Sequence, residues 1–299
     1  MKALLEKDRA EDRVRATISR ENYAFLQSQI YHDSGVVLDD TKQYLVESRL
    51  LPIVRKENLT TLNDLCTRLR VAPESARIRR EVAEAMTTNE TLFFRDIAAF
   101  DALRDHVLPS LVEKRRPSRT LSIWSAAASS GQEAYSIAML LLEMSLSGWN
   151  IRILGTDLNA SVLERARAGR YSQLEINRGL PAKYLIKYFH RAGLEWQIKE
   201  EVQRLTQFRT FDLRCSMHGL GQFDLVLCRN VLIYFDVNTK KKILGGFLRV
   251  LNEGGLLLLG SAETTLSLEQ RFSPRLIGRT SFYESGLAGP AKRIAPPRY

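Results

Sequence analysis

Residues 121–142 read LSIWSAAASSGQEAYSIAMLLL and change character twice along their length. Leu121-Ser122-Ile123-Trp124 is a short apolar run of the kind that forms a buried strand. Ile137, Leu140 and Leu141 recur at helical spacing. Between them, Ala126-Ala127-Ala128-Ser129-Ser130-Gly131 carries almost no side-chain bulk. A strand, a small-residue turn and a helix predict a nucleotide-approach loop, because small side chains let a ligand lie against backbone N–H groups. Glu133 falls just inside the helix. A carboxylate there complements the positive end of the helix dipole and also suits a ligand ammonium group. An ordinary strand-to-helix turn has the same composition, so the rest of the chain has to decide between them.

Ile151-Arg152-Ile153-Leu154-Gly155-Thr156-Asp157 is a second buried strand, and it ends in an acid. In doubly wound folds a carboxylate at that tip accepts hydrogen bonds from ribose hydroxyls. Asp157 has a competing task, capping the next helix, which starts at Asn159 or Ser161 and stops at Gly169. The third strand is delayed. Residues 170–207 hold a Pro181-led helix, then Leu194 to Ile198 and Val202 to Phe208, which read as paired strands of an inserted α/β subdomain. Thr210-Phe211-Asp212-Leu213 is expected to return to the main sheet. Gln222 to Leu227 is a central buried strand with the polar tip Cys228-Arg229-Asn230. A helix near 238–251 leads to a strand over Leu256 to Leu259, and a final hairpin includes Ser281 to Glu284. Such alternation implies an α/β fold with a mostly parallel sheet, whose ligand crevice opens at the strands' C-terminal ends. Ala126–Gly131, Asp157, Asp212 and Cys228–Asn230 all fall on that edge and describe an adenosine-type site in a Rossmann-like enzyme.

Ahead of this domain, residues 1–20 read as a loose N-terminus and 21–88 as a small all-helical module. Tyr23, Leu26 and Ile30 repeat at helical spacing up to Gly35. The helix from Thr41 to Lys56 puts Leu45, Leu50, Ile53 and Val54 on one face and leaves Lys42, Arg49, Arg55 and Lys56 outward. Thr61 is placed to cap a third helix, and a fourth runs from Pro73 to Met86. Residues 89–120 read as linker and helix, 121–285 as the main domain with 170–207 inserted, and 286–299 as a basic tail. Across the first boundary, MTTNETLFFRD (86–96) sets short polar side chains before two Phe and an Arg. Asn89, Thr91 and Arg95 are candidates to line a pocket, the alternative being a linker plugged by the Phe pair.

Composition bounds the class. Hydrophobic residues at 44% and charged residues at 26% are proportions of a soluble globular chain. The apolar stretch Ile137 to Leu146 is broken by Glu143 and Ser145, too short for a membrane span. The N-terminal MKALLEKDRAEDRVRA has no apolar signal core. Three cysteines lack CxxC or His/Cys spacing, so neither a disulfide framework nor a metal site is expected, and a reduced, cytoplasmic protein is. A net charge of +10 favours polyanions, acidic protein surfaces or anionic headgroups without choosing among them.

TTNETLFFRD (87–96), IWSAAASSGQEAYSIAMLL (123–141), GTDLNASVLERARAGRY (155–171) and FDLVLCRNVLIYFD (223–236), in this order behind a helical module, closely resemble the CheR-type chemotaxis receptor methyltransferases. The resemblance runs from about Tyr23 to Tyr283. It implies a Rossmann-like S-adenosylmethionine-dependent methyltransferase sheet with a small N-terminal all-helical domain and an inserted α/β subdomain. It further implies methyl transfer from S-adenosylmethionine, leaving S-adenosylhomocysteine, to glutamates on the cytoplasmic helices of chemoreceptors during adaptation. Cofactor contacts are implied for Asn89, Thr91, Arg95, Ala126, Glu133, Asp157, Asp212, Leu213, Cys228 and Arg229. Gln132 stands where relatives often have a second Glu, and Ala134 where Pro is common; Glu133 keeps the charge. Asp212-Leu213 stand where some relatives have Asn-Leu.

The chemistry suits these residues. Transfer from a sulfonium is an in-line displacement, and a glutamate of reference pKa about 4.3 is already ionised near neutrality. No general base is required, in keeping with the absence of His from the four motifs. The enzyme has to position and desolvate the nucleophile. Arg95 is expected to hold the incoming carboxylate and Tyr234 to hydrogen-bond near the transfer point; an internal salt bridge and a core-packing ring are the competing readings. Methyl-accepting chemoreceptors are expected to dock on the basic helices through Arg49, Arg55 and Lys56, with steering that weakens as salt rises. Some relatives tether a receptor peptide through the inserted subdomain, but the short His190-Arg191-Ala192-Gly193 connection argues against that here. Nucleic acid is not expected as substrate, because the Arg229-Asn230-Val231-Leu232 tip lacks the Asn/Asp-Pro-Pro-Tyr pattern of amino-methylating DNA enzymes. A non-enzymatic cofactor-sensing scaffold is opposed by intact Arg95 and Tyr234, and a dinucleotide dehydrogenase by the lack of GxGxxG.

Overall fold

The computed structural model describes residues 18–71 and 75–286. Residues 1–17, the helix start at Pro73 and the tail from 287 lie outside the described residues. The chain divides into two compact units, Met1–Thr88 with Tyr234–Asp236, and Asn89–Ile233 with Val237–Tyr299.

The first unit is helical: α1 (Arg20–Ser34), α2 (Gln43–Lys56), α3 (Leu62–Val71) and α4 (Ser75–Met86). Ser19 caps α1 by accepting the Asn22 N–H, and Gly35, at φ 75°, closes it in the left-handed conformation that glycine adopts freely. Thr61 and Asp64 exchange hydrogen bonds of 2.8 and 3.1 Å at the head of α3, a reciprocal cap. Leu26, Ile30, Leu50, Leu62, Leu65, Leu69 and Ile78 are fully buried in one apolar core. Val46 replaces the expected Leu45, which is half-buried. The chain enters α2 through a 3-10 turn at Asp40–Lys42. Its tighter winding rotates the inward face away from the one a helix beginning at Thr41 would present.

The second unit opens with α5 (Ile97–Ala102), a π-type turn at Leu103–Val107 and α6 (Leu108–Arg115). Pro109 has no N–H to give a regular helix, and the widened turn sits just before it. Then come β1 (Thr120–Ala126), α7 (Gln132–Leu142), β2 (Asn150–Asp157), α8 (Ala160–Ala168) and β3 (Arg170–Tyr171). They are followed by α9 (Gln173–Asn177), α10 (Ala182–Tyr188), β4 (Phe189–Ala192), β5 (Glu195–Ile198), α11 (Glu200–Gln203) and β6 (Thr206–Thr210). β7 (Phe223–Cys228), α12 (Val237–Val250), β8 (Leu251–Leu259), β9 (Phe272–Ile277) and β10 (Thr280–Ser285) complete the unit.

Seven strands form one sheet in the order β6-β2-β1-β7-β8-β10-β9. The first five are parallel and the closing hairpin is antiparallel. Leu121 and Ile123 of β1 pack with Ile137 of α7 in one core, while Trp124, by strand alternation, faces the other side against Phe247 of α12 at 5.3 Å. Both faces are therefore covered, which is why β7 is buried along its whole length. Winding proceeds from β1 through β2 to β6, then resumes on the other side at β7. The order thus reverses between β1 and β7, where a Rossmann-like sheet leaves a crevice at its C-terminal rim.

One strand pairing differs from the sequence expectation. β5 pairs antiparallel with β4 and β3 in a separate three-stranded sheet. The segment expected to pair with it supplies β6 instead, the edge of the main sheet, parallel to β2. The return to the main sheet thus precedes Thr210. An edge strand needs few inward side chains; here Phe208 packs on Tyr135 at 5.5 Å, and no apolar run marks the strand. Gly155 makes room for it, since a Cβ there would approach the Phe208 ring to 2.5 Å.

Candidate active site

The turn after β1 is tied down from three directions. The Ala128 N–H donates to the Thr156 carbonyl (2.8 Å), and the Ser129 N–H to Asp157 Oδ2 (2.9 Å). Ser129 Oγ donates to the Asn89 carbonyl (2.7 Å), and the Tyr171 hydroxyl to the Ser130 carbonyl (2.8 Å). Ala127 (φ 63°), Ser129 (φ 50°) and Gly131 (φ 93°) are left-handed. So are Phe94 (φ 50°) and Asp96 (φ 69°) around Arg95, and Asn230 (φ 59°) after β7. Non-glycine residues are uncommon in this conformation, which Asn and Asp tolerate best, and several of those in this chain fall around this turn.

Asp157 is buried at the tip of β2, with its two oxygens held by the N–H groups of Ser129 (2.9 Å) and Asn159 (3.0 Å). The capping task falls to Asn159, whose Oδ1 accepts the N–H groups of Ser161 (3.0 Å) and Val162 (3.3 Å). Two backbone donors, one on each oxygen, fix the orientation of the carboxylate.

Glu133, in the first turn of α7, accepts the Ser125 hydroxyl at 2.7 Å and pairs with Arg229 at 3.2 Å. Arg229 also donates to the Arg95 carbonyl (2.7 Å), lies 3.6 Å from Asp96 and sits over the Phe100 ring at 5.7 Å. Its Nε is buried without a partner among the described residues. The Phe94 N–H donates to Ser136 Oγ (3.0 Å), so the Phe93–Phe94 peptide before Arg95 and the Arg95–Asp96 peptide after it are both held. The half-buried Arg95 side chain donates to the Glu90 carbonyl at 3.1 Å, and no carboxylate salt-bridges it among the described residues.

The remaining expected residues have varied surroundings. Thr91 is half-buried, and Ala126 and Leu213 are buried. The Asp212 carboxylate is gripped by Arg214 through Nε at 3.0 Å and Nη2 at 2.6 Å, an engagement that its motif position did not reveal. Cys228 ends β7 fully buried; burial, then the charges of Glu263 and Glu133, push its thiol well above the ordinary range. Tyr234 belongs to the helical unit, where its ring packs against the apolar core and its carbonyl accepts the Val37 N–H at 3.0 Å. Arg49, expected to face outward, turns in to donate to the Met86 and Thr87 carbonyls (2.9 and 3.2 Å), satisfying the open end of α4. Lys56 pairs with Glu81 at 2.9 Å, and Arg55 stays exposed without an ion pair among the described residues.

Sequence reasoning passed over Ser125, Ser129 and Ser136, which hold Glu133, the turn and the Phe94 peptide. Nothing marks them in the sequence beyond their nearness to the turn after β1, because a serine hydroxyl has no periodicity to read. Taken together, two carboxylates carried beside adjacent strands flank a turn with no side chain larger than Ser. Asp157 suits ribose hydroxyls and Glu133 an ammonium head, so these residues fit an adenosine cofactor with a cationic tail. Among the described residues no group of His, Cys, Asp and Glu is placed to hold a metal, and no helix is long and apolar enough to cross a membrane.

Comparison with known proteins gives a consistent result. Residues 21–87 match the family of CheR methyltransferase all-alpha domains, and residues 89–279 the CheR methyltransferase SAM-binding domain. The chain is 43% identical over 261 residues to the chemotaxis protein methyltransferase of Vibrio parahaemolyticus, covering 86% of this chain and 94% of that protein. Over 265 residues it is 43% identical to chemotaxis protein methyltransferase 1 of Vibrio cholerae, again covering 86% and 94%. Chemotaxis protein methyltransferase 1 of Pseudomonas aeruginosa is 40% identical over 256 residues, covering 82% and 92%.

Proposed function

The chain belongs to the CheR methyltransferase family, whose larger domain binds S-adenosylmethionine, and we propose that it methylates side-chain carboxylates of glutamates on the cytoplasmic helices of chemoreceptors. The observation that carries this reading is the rim itself: Asp157 and Glu133 flank a bulk-free turn, and the four motifs that build it contain no histidine. S-adenosylmethionine, when bound, supplies an electrophilic methyl carbon.

What the protein adds is placement. Asp157 holds the donor's ribose, and Glu133 its ammonium group. Asn89, Thr91, Ala126, Asp212, Leu213, Cys228 and Arg229 complete the surroundings, Asn89 through the segment that its carbonyl ties to Ser129. Arg95 orients the receptor carboxylate by a charge-assisted contact loose enough to leave the nucleophilic lone pair available. With the nucleophile ionised from the start, water exclusion and alignment are the whole task.

Receptor helices rich in glutamate complement a basic surface, and Arg55 is the cation of the expected docking set that keeps its charge exposed and unpaired among the described residues. Docking of this kind weakens with ionic strength. The reaction places the protein in the cytoplasm, where these receptor segments lie.

The test is to incubate the protein with S-adenosylmethionine labelled in its methyl group and membranes containing candidate receptors. A base-labile label on the receptor supports a carboxyl methyl ester. Label that resists base, or that goes to nucleic acid instead, overturns the assignment.

A further inference from the structure

Glu263 lies just beyond the C-terminal end of β8, and four backbone N–H groups converge on its carboxylate. Oε2 accepts from Asn230 and Gly260, both at 2.8 Å. Oε1 accepts from Val231 at 3.0 Å and Ile233 at 3.2 Å. Three of these donors belong to the segment directly behind Arg229, and Asn230 there is left-handed at φ 59°. Backbone N–H groups turned toward one point form a nest that draws an anion. Here the chain supplies the anion itself. The fit is close: a Cβ on Gly260 would lie 2.7 Å from Glu263 Oε2 and 2.9 Å from the Asn230 nitrogen.

We propose that Glu263 is a positioning residue for the methyl-donor rim. Its carboxylate locks the strained turn at Asn230 and thereby fixes where Arg229 leaves β7. Arg229 in turn holds the Glu133 carboxylate at 3.2 Å and the Arg95 carbonyl at 2.7 Å. Among the described residues, the hydrogen bonds to the Glu263 carboxylate all come from backbone N–H groups. Without the carboxylate, the converging N–H groups repel one another, and the Asn230 turn loses the acceptor that holds it in the left-handed conformation. The turn then relaxes, and the two groups set by Arg229 shift with it. The inference rests on the reading of this rim as the donor site.

The sheet provides its own control. Asp224, at the opposite end of β7, is an equally engaged carboxylate, bound to the Ser122 N–H (3.0 Å), Arg115 (2.6 Å) and Asn252 (2.9 Å). Glu263→Gln keeps the size but gives one acceptor oxygen and turns an NH2 on the remaining donors. Calorimetric titration with S-adenosylhomocysteine, which needs no acceptor protein, is expected to show affinity falling about tenfold or more in Glu263→Gln. Asp224→Asn is expected to lose comparable thermal stability and to keep wild-type affinity. Amide exchange at Asn230, Val231 and Ile233 should quicken in Glu263→Gln alone. Wild-type affinity in Glu263→Gln, or affinity lost in both variants in proportion to their melting temperatures, overturns the proposal. A wild-type protein that binds no S-adenosylhomocysteine overturns the donor-site reading, and the positioning role falls with it. Should Glu263→Gln not fold, Glu263→Asp, charged but one methylene short, is judged by the same titration.

Discussion

Glu133 and Arg229, 96 positions apart in the chain, meet as an ion pair of 3.2 Å with side chains only 13% and 4% exposed. Each is held by a further group, Glu133 by the Ser125 hydroxyl and Arg229 by the Arg95 carbonyl. A charge so far removed from water is tolerable only while its partner stays. The pair therefore links three motifs, joining the start of α7, the tip of β7 and the segment carrying Arg95.

Glu133→Gln is expected to destabilise the larger unit by about 3 kcal/mol, because it leaves the Arg229 guanidinium buried without its main counter-charge. Asp96, at 3.6 Å and partly exposed, compensates little. Urea unfolding measures the loss. In a double-mutant cycle, Arg229→Met added to Glu133→Gln should recover part of it, and simple additivity would show that the two side chains do not interact.

Arg95→Ala should separate stability from activity. The side chain is half-buried and makes one hydrogen bond to a backbone carbonyl, so its loss should cost about 0.5 kcal/mol or less. Receptor labelling should nevertheless be abolished. Near-normal turnover in a folded Arg95→Ala protein would remove Arg95 from the mechanism.

Asp157→Asn is nearly isosteric, yet its NH2 group would face a backbone N–H, from Ser129 or from Asn159. A charge-assisted hydrogen bond to a ribose hydroxyl is worth about 1.5–3 kcal/mol. S-adenosylhomocysteine affinity should accordingly fall between tenfold and a hundredfold by calorimetry, with some loss of thermal stability. Unchanged affinity would mean that Asp157 serves only to hold the turn.

The thiols should report burial and pH together. Cys215 is exposed, whereas Cys66 and Cys228 are buried. A thiol reagent should therefore modify one cysteine quickly in the native protein and all three after unfolding. Desolvation raises the Cys66 thiol to about 11, against the partial opposition of Arg70. The unfolded thiol ionises near about 8.5, so the folded state holds the extra proton between the two values. This contribution to stability is complete below about pH 8.5 and is lost as pH rises toward about 11. Melting temperature should fall less steeply across that range in Cys66→Ala than in the wild type.

Parts of the fold were plain in the sequence for identifiable reasons. Gly35 and Gly169 stop their helices in left-handed conformations, and Thr61 caps with its partner Asp64 three residues on. These are interactions within one turn of chain. β7 was equally plain, since a strand covered on both faces must be apolar throughout. A strand over Val202 to Phe208 was legible but its pairing with β2 was not, and the Leu45 face depended on how a 3-10 turn enters α2. Arg49 reads as a surface cation in any helical projection, and only the open carbonyls at the end of α4 explain why it turns inward.

From the amino-acid order alone came the alternation of strands and helices, the bulk-free turn after β1 and the acids at the strand tips. All of these come from spacing, steric size and local hydrogen bonding. The tertiary structure alone decided what each acid holds: Asp157 took the turn and left the cap to Asn159, Glu133 found Arg229, Asp212 closed on Arg214, and Glu263 gathered the backbone behind Arg229. The physical reason is that a carboxylate's partner is whichever donor the packed chain brings within about 3 Å, and for Glu133 and Glu263 that donor comes from a distant strand end.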